Sequence, residues 1–432
     1  MKVGSDDVTV LKKKAEEGNL SAQLTLAGMY ESGLGIDADY GLAARWFLEA
    51  AKQGSARAQA NLGEKYLHGF GVDKDYERAV YWLDKAAKQN DVEAMANLGW
   101  CHQNGFHFKQ DFSSALKWYK KAADQGHAHA CYNLGYMYAE GLGTEKDPSE
   151  AMRWYTLAAK RGHEKAQLNV GIMFEKGIGV EKNDIEAVEW YRKAARQGYS
   201  KAEFNLASMY ANGHGVPRDY VVAAEWFQKA AEKGYSRAQY YMGYYYLHGV
   251  GLPQNYGKAL DWFQKASDQG YHKAQYQLGK MYLKGLGVEV DQTGALQWFL
   301  HAALQGEKKA CYRLGVMYAE GAGVDQDYVR AVDWFRKSAE KGFAPAQYQL
   351  SLLYTKGTGI PKDYIQAYAW CYVASQSNQP YAIKALKNIA VKMEQVDLAE
   401  AGRLGEGYIR KYSKTSDDDD LSDTAEIELL DN

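Results

Sequence analysis

The chain has 432 residues, enough for about three globular domains at an ordinary size of roughly 150 residues. Its 52 lysine and arginine residues nearly balance its 54 aspartate and glutamate residues, and the resulting net charge of -2 disfavours a strongly basic nucleic-acid-binding protein. No apolar run reaches the ~18 residues of a membrane-spanning helix, and the first residues lack the apolar core of a secretory signal peptide. We expect a cytoplasmic protein, with a secreted or processed form left open.

The ends of the chain differ from its middle. Residues 1–19 are predicted to form a capping half-repeat, residues 20–379 ten tandem repeats, and residues 380–412 two capping helices. Residues 413–432 contain eight acidic residues and one lysine, a composition typical of a disordered acidic tail. This tail contributes -7 to the net charge of -2, which leaves +5 for the rest of the chain.

A single period of 36 residues runs through the repeats. Ten of the 11 tryptophans keep this spacing from Trp46 to Trp370, and only Trp100 lies off the series. A series of alanines keeps the same spacing from Ala22 to Ala346. Because one unit of this size cannot bury its own tryptophan, the period predicts a stack of units with the tryptophans in the core between neighbours.

Each unit is predicted to form two helices, which we call helix A and helix B. In residues 236–270, helix A carries Ala238 on its packed face and ends at Gly249, because glycine adopts positive φ without steric cost. Helix B begins near Tyr256 and ends at Gly270. We describe positions on helix A relative to this repeat alanine.

The repeat consensus is similar to that of the Sel-one-like repeat family, relatives of the tetratricopeptide repeat, over about residues 9–412. A clear instance consists of Ala130, Leu134, Gly135, Tyr138, Gly141, Gly143, Ala151, Trp154, Ala158, Ala159 and Gly162. The resemblance implies an all-α fold, a right-handed superhelical α-solenoid of about ten helix-turn-helix repeats with helical caps. Such folds usually act as scaffolds or adaptors for other proteins. In tetratricopeptide arrays helix A lines the concave groove, so partner-binding residues are expected on helix A.

A series of cations occupies the position before the repeat alanine in five consecutive units. These residues are Lys165, Lys201, Arg237, Lys273 and Lys309. Adjacent helices lie about 8–10 Å apart, close to one Debye length, so the charges are expected to add up to a positive stripe. The alternative is a solvated helix start, although cations at this end oppose the helix dipole.

Aromatic residues recur two and six positions after the repeat alanine. The candidates for partner contact are Phe204, Tyr240, Tyr276 and Tyr312 at the first position, and Trp100, Tyr136 and Tyr244 at the second. Large aromatic side chains are frequent anchors of protein interfaces. Partly buried packing residues are the alternative. Asn133, Asn169 and Asn205 form a further series whose amides are expected to hydrogen-bond a peptide backbone, with capping or family habit as the alternative.

The sequence gives only weak signals for nucleotide binding, disulfide bonds or metal binding. The repeated Gly-x-Gly lacks the preceding strand and the third glycine of a dinucleotide loop, and is predicted to end helix A. Cysteine-rich members of the family carry a disulfide in each unit, but the four cysteines here do not recur in pairs, which favours a reducing compartment. The histidines and cysteines between 101 and 131 match no metal motif, so we expect no metal and no cofactor and favour a locally irregular third unit.

Together these observations predict a non-enzymatic scaffold whose groove binds a protein or peptide segment rich in acidic and aromatic residues; the oligomeric state stays open. A second hypothesis is that the acidic tail folds back onto the basic stripe and competes with the partner. The alternative function is a cell-envelope or secreted repeat protein with peptidoglycan- or β-lactam-related or host-interaction activity, which some cysteine-rich relatives suggest.

Overall fold

The computed structural model describes residues 5–377 and 380–412, and every regular element in this part of the chain is an α-helix. The helices pack in sequential pairs as an all-α solenoid. They form two compact units, the first ending at Tyr199 and the second beginning at Ser200. The predicted acidic tail, residues 413–432, lies outside the described residues.

Helices A are the even-numbered helices α2 to α20, and helices B are the odd-numbered helices α3 to α21. The bounds are α1 Ser5–Glu16, α2 Leu20–Ser32, α3 Tyr40–Lys52, α4 Ala56–His68, α5 Tyr76–Ala87, α6 Val92–Asn104, α7 Phe112–Asp124, α8 Ala128–Glu140, α9 Pro148–Lys160, α10 Glu164–Lys176, α11 Asp184–Arg196, α12 Ser200–Asn212, α13 Tyr220–Glu232, α14 Ser236–His248, α15 Tyr256–Asp268, α16 His272–Lys284, α17 Gln292–Leu304, α18 Lys308–Glu320, α19 Tyr328–Glu340, α20 Ala344–Lys356, α21 Tyr364–Ser375, α22 Pro380–Ala390 and α23 Gln395–Tyr412.

The loop within each pair is held at both ends. Helix α14 ends as predicted at Gly249, whose φ of 67° lies in the left-handed region. All ten helices B begin with an aspartate or asparagine side chain that accepts a hydrogen bond from a first-turn N–H. In one pair, Asp75 accepts from the Arg78 N–H at 2.9 Å, and its own N–H donates to the Tyr66 carbonyl of helix A. Each such cap stabilises the helix by about 1 kcal/mol, so the turn is specified locally.

The core of most pairs is an aromatic ring of helix B that lies against a glycine of helix A. A Cβ atom at Gly171 would lie 2.5 Å from the ring of Tyr191, which is completely buried. The corresponding distance from Gly279 to the ring of Phe299 is 2.6 Å. The buried rings of this type are Tyr119, Tyr155, Tyr191, Phe263, Phe299 and Phe335. Each of them directly follows a repeat tryptophan in the sequence.

The structure therefore corrects the expectation that all ten repeat tryptophans belong to the core. The half-buried ones are Trp82, Trp118, Trp226, Trp262, Trp298 and Trp334. The next residue occupies the core position, and a step of one residue turns the tryptophan about 100° away from it. In most of these helices a lysine one turn later covers the indole, as Lys265 does with its Nζ 4.2 Å from the ring of Trp262.

Buried glutamines join one pair to the next. Gln239 on α14 donates from Nε2 to the Ala231 carbonyl of α13 at 3.2 Å, and its Oε1 accepts from Gln269 at 2.7 Å. Gln59 and Gln167 make the same two types of bond. Because these buried amides are satisfied on both sides, they set the register between pairs without leaving an unpaired polar group.

The C-terminal helices pack on the last pair. Tyr408 and Tyr412 of α23 stack on Trp370, with ring centroids 4.4 and 5.7 Å away. Helices α22 and α23 lie in the stretch predicted to cap the last repeat. In the described residues we find no helix with the length and apolar character needed to cross a membrane.

The glycine–ring contact predicts opposite effects of one substitution at two glycines of helices A, only one of which faces a ring. Gly171→Ala is expected to destabilise the protein by ~1–3 kcal/mol, because the new methyl group meets the buried ring of Tyr191. Gly28→Ala, which would meet no described atom within 4 Å, is expected to stabilise α2 by ~0.5–1 kcal/mol. Thermal unfolding followed by circular dichroism measures both; shifts of the same sign would contradict the packing role.

Candidate interaction surface

The first turns of three consecutive helices A in the second unit are positively charged. Helices α14, α16 and α18 have no acidic residue in the first turn. At the second position of each helix stand Arg237, Lys273 and Lys309, which are half-buried. Because the N-terminal end of a helix is itself positive, these cations add to that potential instead of balancing it. Of the other predicted cations, Lys165 in the first unit and Lys201 in the second are exposed.

Tyr276 lies near three cations, Lys280, Lys309 and Arg313. Arg313 donates a hydrogen bond to its hydroxyl group, and Lys280 places Nζ 5.7 Å from its ring. Burial raises the pKa of Tyr276, while the charges of Arg313 and Lys309 act in the opposite direction. The tyrosine therefore remains a neutral hydroxyl in positive surroundings. We define the basic patch as Lys273, Tyr276, Lys280, Lys309 and Arg313.

One ionised carboxylate, that of Glu307, lies beside the cations of the patch. Burial acts to raise the pKa of Glu307, but hydrogen bonds from His272 and from the Lys309 N–H outweigh it, and the pKa lies below its usual range. Its carboxylate thus serves as the cap of α18. Burial lowers the pKa of His248 and the charge of Lys280 lowers it further, which places Lys280 near the end of α14.

Phe204 and Tyr240 are not contact residues, which corrects the prediction made for them. Their exposed fractions are only 2% and 5%. Each ring packs against the aromatic residue just before the next helix A: Phe204 lies 5.3 Å from Tyr235, and Tyr240 lies 5.3 Å from Tyr271. These rings fill the junction between pairs. The remaining predicted tyrosines in the second unit, Tyr244, Tyr276 and Tyr312, are half-buried.

The asparagine series has partners inside the protein. A hydrogen bond from Asn133 acts on the buried hydroxyl of Tyr119, and one from Asn169 acts on that of Tyr155. Burial raises the pKa of both tyrosines, and these amides oppose the shift. Satisfying a buried hydroxyl is therefore the role that the structure gives Asn133 and Asn169, in place of the predicted contact with a partner backbone. Asn205 is half-buried.

The first unit carries an aromatic ribbon that the sequence prediction captured only through Trp100. The ribbon consists of Tyr40, His68, Phe70, Tyr76, Trp100 and Phe106. Trp100 lies 5.5 Å from His68 and 4.8 Å from Phe106, which stacks on Tyr76 at 4.5 Å. Phe70 is 52% exposed. A sequence signal for this ribbon is Phe70, which lies between the loop glycines Gly69 and Gly71, where a solvated turn needs no aromatic side chain. Tyr136, also predicted for contact, is 40% exposed.

Two histidines of the first unit, His127 and His163, cap the starts of helices A. His163 accepts a hydrogen bond from the Ala166 N–H at Nδ1, and its Nε2 lies 3.3 Å from Nδ1 of His129. This arrangement requires His163 to be neutral and to donate from Nε2, with His129 accepting. Burial lowers the pKa of both histidines; His127 lowers that of His129 further, and His129 lowers that of His163.

The described residues offer no cluster of side chains that could hold a metal ion. No three histidine, cysteine, aspartate or glutamate side chains in that part of the chain converge to hold a metal ion. The four cysteines are free and buried. Burial raises the pKa of the Cys101 thiol to about 12, so it is protonated and unreactive at neutral pH.

The histidine pair predicts acid sensitivity of the first unit. Because the folded-state pKa values of His129 and His163 lie below their unfolded value, the unfolded chain binds more protons, and stability falls as the pH drops below about 6.5. His163→Asn keeps a side-chain cap but cannot titrate. Between about pH 7.5 and 5, the melting temperature of the variant should fall less than that of the wild type. The two proteins should melt alike at about pH 8, and parallel profiles throughout would contradict the assignment.

The repeat pattern and the fold have known counterparts. The family model for the Sel1 repeat matches ten consecutive segments, residues 20–55, 56–91, 92–127, 128–163, 164–199, 200–235, 236–271, 272–307, 308–343 and 344–378. A protective antigen present in uropathogenic Escherichia coli strains, which displays an SLR fold, is similar with a TM-score of 0.84 and 35% identity, over 94% of this chain and 87% of that one.

A Sel1 repeat protein from Oxalobacter formigenes is similar with a TM-score of 0.60 and 33% identity, over 71% of this chain and 90% of that one. No curated protein matches the chain. The matched segments cover residues 20–378 without a gap, in register with the helix pairs. The chain belongs to the Sel1 repeat family.

Proposed function

We propose that the chain is a non-enzymatic adaptor that binds an acidic segment of a partner protein on its helix A faces, with the basic patch of the second unit as the main contact. Sel1-repeat proteins are generally non-catalytic interaction scaffolds, and the coarse assignment of this chain as such a scaffold follows from its family. The choice of the basic patch and of an acidic partner is our own.

The observation that carries this proposal is the concentration of positive charge around Tyr276. The patch brings Lys280, Lys309 and Arg313 from two successive helices A to one half-buried ring, and Lys273 lies about one turn before that ring on α16. Partial burial weakens solvent screening, so a carboxylate bound there interacts more strongly than at a fully exposed lysine. The charges would raise the association rate and select acidic segments, while the buried tyrosine surface would set the residence time.

We keep the cytoplasm as the proposed compartment, supported by four free cysteines in the described chain. The host-interaction alternative is favoured by one observation, the likeness to a structure titled as a protective antigen of uropathogenic strains. Protease treatment of intact source cells separates the two. Digestion of the protein without cell lysis would support surface display, and protection until lysis would support the cytoplasmic adaptor.

Charge reversal on the patch tests the adaptor directly. The double variant Lys273→Glu/Lys309→Glu should lose the partner in affinity capture from the source lysate, as identified by mass spectrometry. The matched control Lys265→Glu/Lys337→Glu makes the same charge change on helices B and should keep it. Raising the salt from about 50 to 500 mM should weaken association of wild-type protein and partner. Equal capture by both variants would move the binding site away from the patch.

A further inference from the structure

We infer that the chain's own segment 413–432 occupies the basic patch of the second unit and masks it. The segment is the acidic tail of the sequence, and the patch is formed by described residues of α16 and α18. Masking of the patch involves only this chain and needs no partner. Its consequence, competition with a partner, rests on the function proposed above.

Charge complementarity identifies the occupant. The segment carries eight acidic residues against one lysine and includes four consecutive aspartates, Asp417, Asp418, Asp419 and Asp420. Without it the chain has a net charge of +5, and the patch is where cations of two helices A meet. A run of four carboxylates placed within a Debye length of these cations is attracted by all of them together.

The segment is also long enough to reach the basic patch from the end of α23. It follows Tyr412, whose hydroxyl lies 3.4 Å from a carboxylate oxygen of Glu340 at the end of α19. Helix α19 packs on α18, α18 on α17, and α17 on α16. Three such steps of about 8–10 Å give a path of roughly 30 Å. Twenty extended residues span up to about 66–72 Å, so the segment as a whole can reach α16. The four aspartates lie five to eight residues after Tyr412 and reach at most about 17–29 Å, which covers the single step to α18, while the later acidic residues can reach α16.

The composition of the segment resembles that of the partner proposed for the patch. After the aspartates come Ile427, Leu429 and Leu430, interleaved with Glu426 and Glu428. Acidic residues would face the lysines, and the apolar ones would cover the half-buried rings of Tyr276 and Tyr312. A tethered segment acts at an effective concentration of about 1 mM, so even a weak intrinsic affinity keeps the patch largely covered.

Lysine labelling on the full-length protein tests the masking without any partner. Wild-type protein and the variant Asp417→Asn/Asp418→Asn/Asp419→Asn/Asp420→Asn are treated with an amine-reactive ester, and the rate at each lysine is read by mass spectrometry. We expect labelling of Lys273, Lys280 and Lys309 to rise at least about threefold in the variant. Lys265 and Lys337 on helices B should react at unchanged rates. Unchanged rates at the three patch lysines would overturn the inference.

A reciprocal experiment changes the patch and observes the segment. In Lys273→Glu/Lys309→Glu, an aspartate- or glutamate-specific protease should cleave within 413–432 several-fold faster than in the wild type. Lys265→Glu/Lys337→Glu should be cleaved like the wild type. Equal cleavage of all three proteins would place the segment elsewhere.

These assays separate the two proposals. If labelling and cleavage respond as expected but no partner depends on the patch, the masking stands and the adaptor proposal fails. If a partner needs the patch but the segment does not protect it, the masking is wrong and the adaptor proposal stands. Where both hold, removing residues 413–432 should tighten partner binding.

Discussion

The fold depends on one close contact, the aromatic ring of helix B against the glycine of helix A. A ring such as that of Tyr191 reaches the backbone of the facing helix only because Gly171 has no Cβ atom. The contact is short in sequence, since the two residues are 20 positions apart, and it recurs with the repeat. A local rule repeated along the chain is what gives repeat proteins their stability, as a sum of pair and interface terms.

This contact also decides which residues are left for the surface. Because the ring occupies the core of the pair, the neighbouring tryptophan turns outward and is covered by a lysine. The aromatic residue two after the repeat alanine is drawn into the junction, as Phe204 and Tyr240 show. A narrow set of positions on helix A remains for recognition, and in the second unit Lys280, Lys309 and Arg313 occupy such positions around Tyr276.

Much of the fold could be predicted because the signals for it are local and periodic. Glycines and aspartates at fixed offsets end and begin the helices, and α14 and α15 lie within two residues of the predicted bounds. The direction of each side chain was harder to predict from the sequence. A 36-residue period shows that Trp262 and Phe263 recur, but both are aromatic, and only packing decides that Phe263 is the fully buried one.

The candidate site shows the same limit. The cations Arg237, Lys273 and Lys309 were found because they form a series. Lys280 and Arg313 were missed because each breaks the series of its own position, and their importance arises from their proximity to one tyrosine. The sequence predicted a partner contact for Asn133. The hydroxyl group that Asn133 satisfies belongs to Tyr119 on the preceding helix B, 14 residues away, and only the folded structure brings the two together.

Zero-length crosslinking of carboxylates to amines tests the central claim most directly, because it reports which lysines lie against the partner's acidic residues. Performed on the complex with a captured partner and read by mass spectrometry, it should place crosslinks at Lys273, Lys280 and Lys309. Crosslinks concentrated on helix B lysines such as Lys265 and Lys337 would show that the partner binds another face, and the account of the basic patch would be wrong.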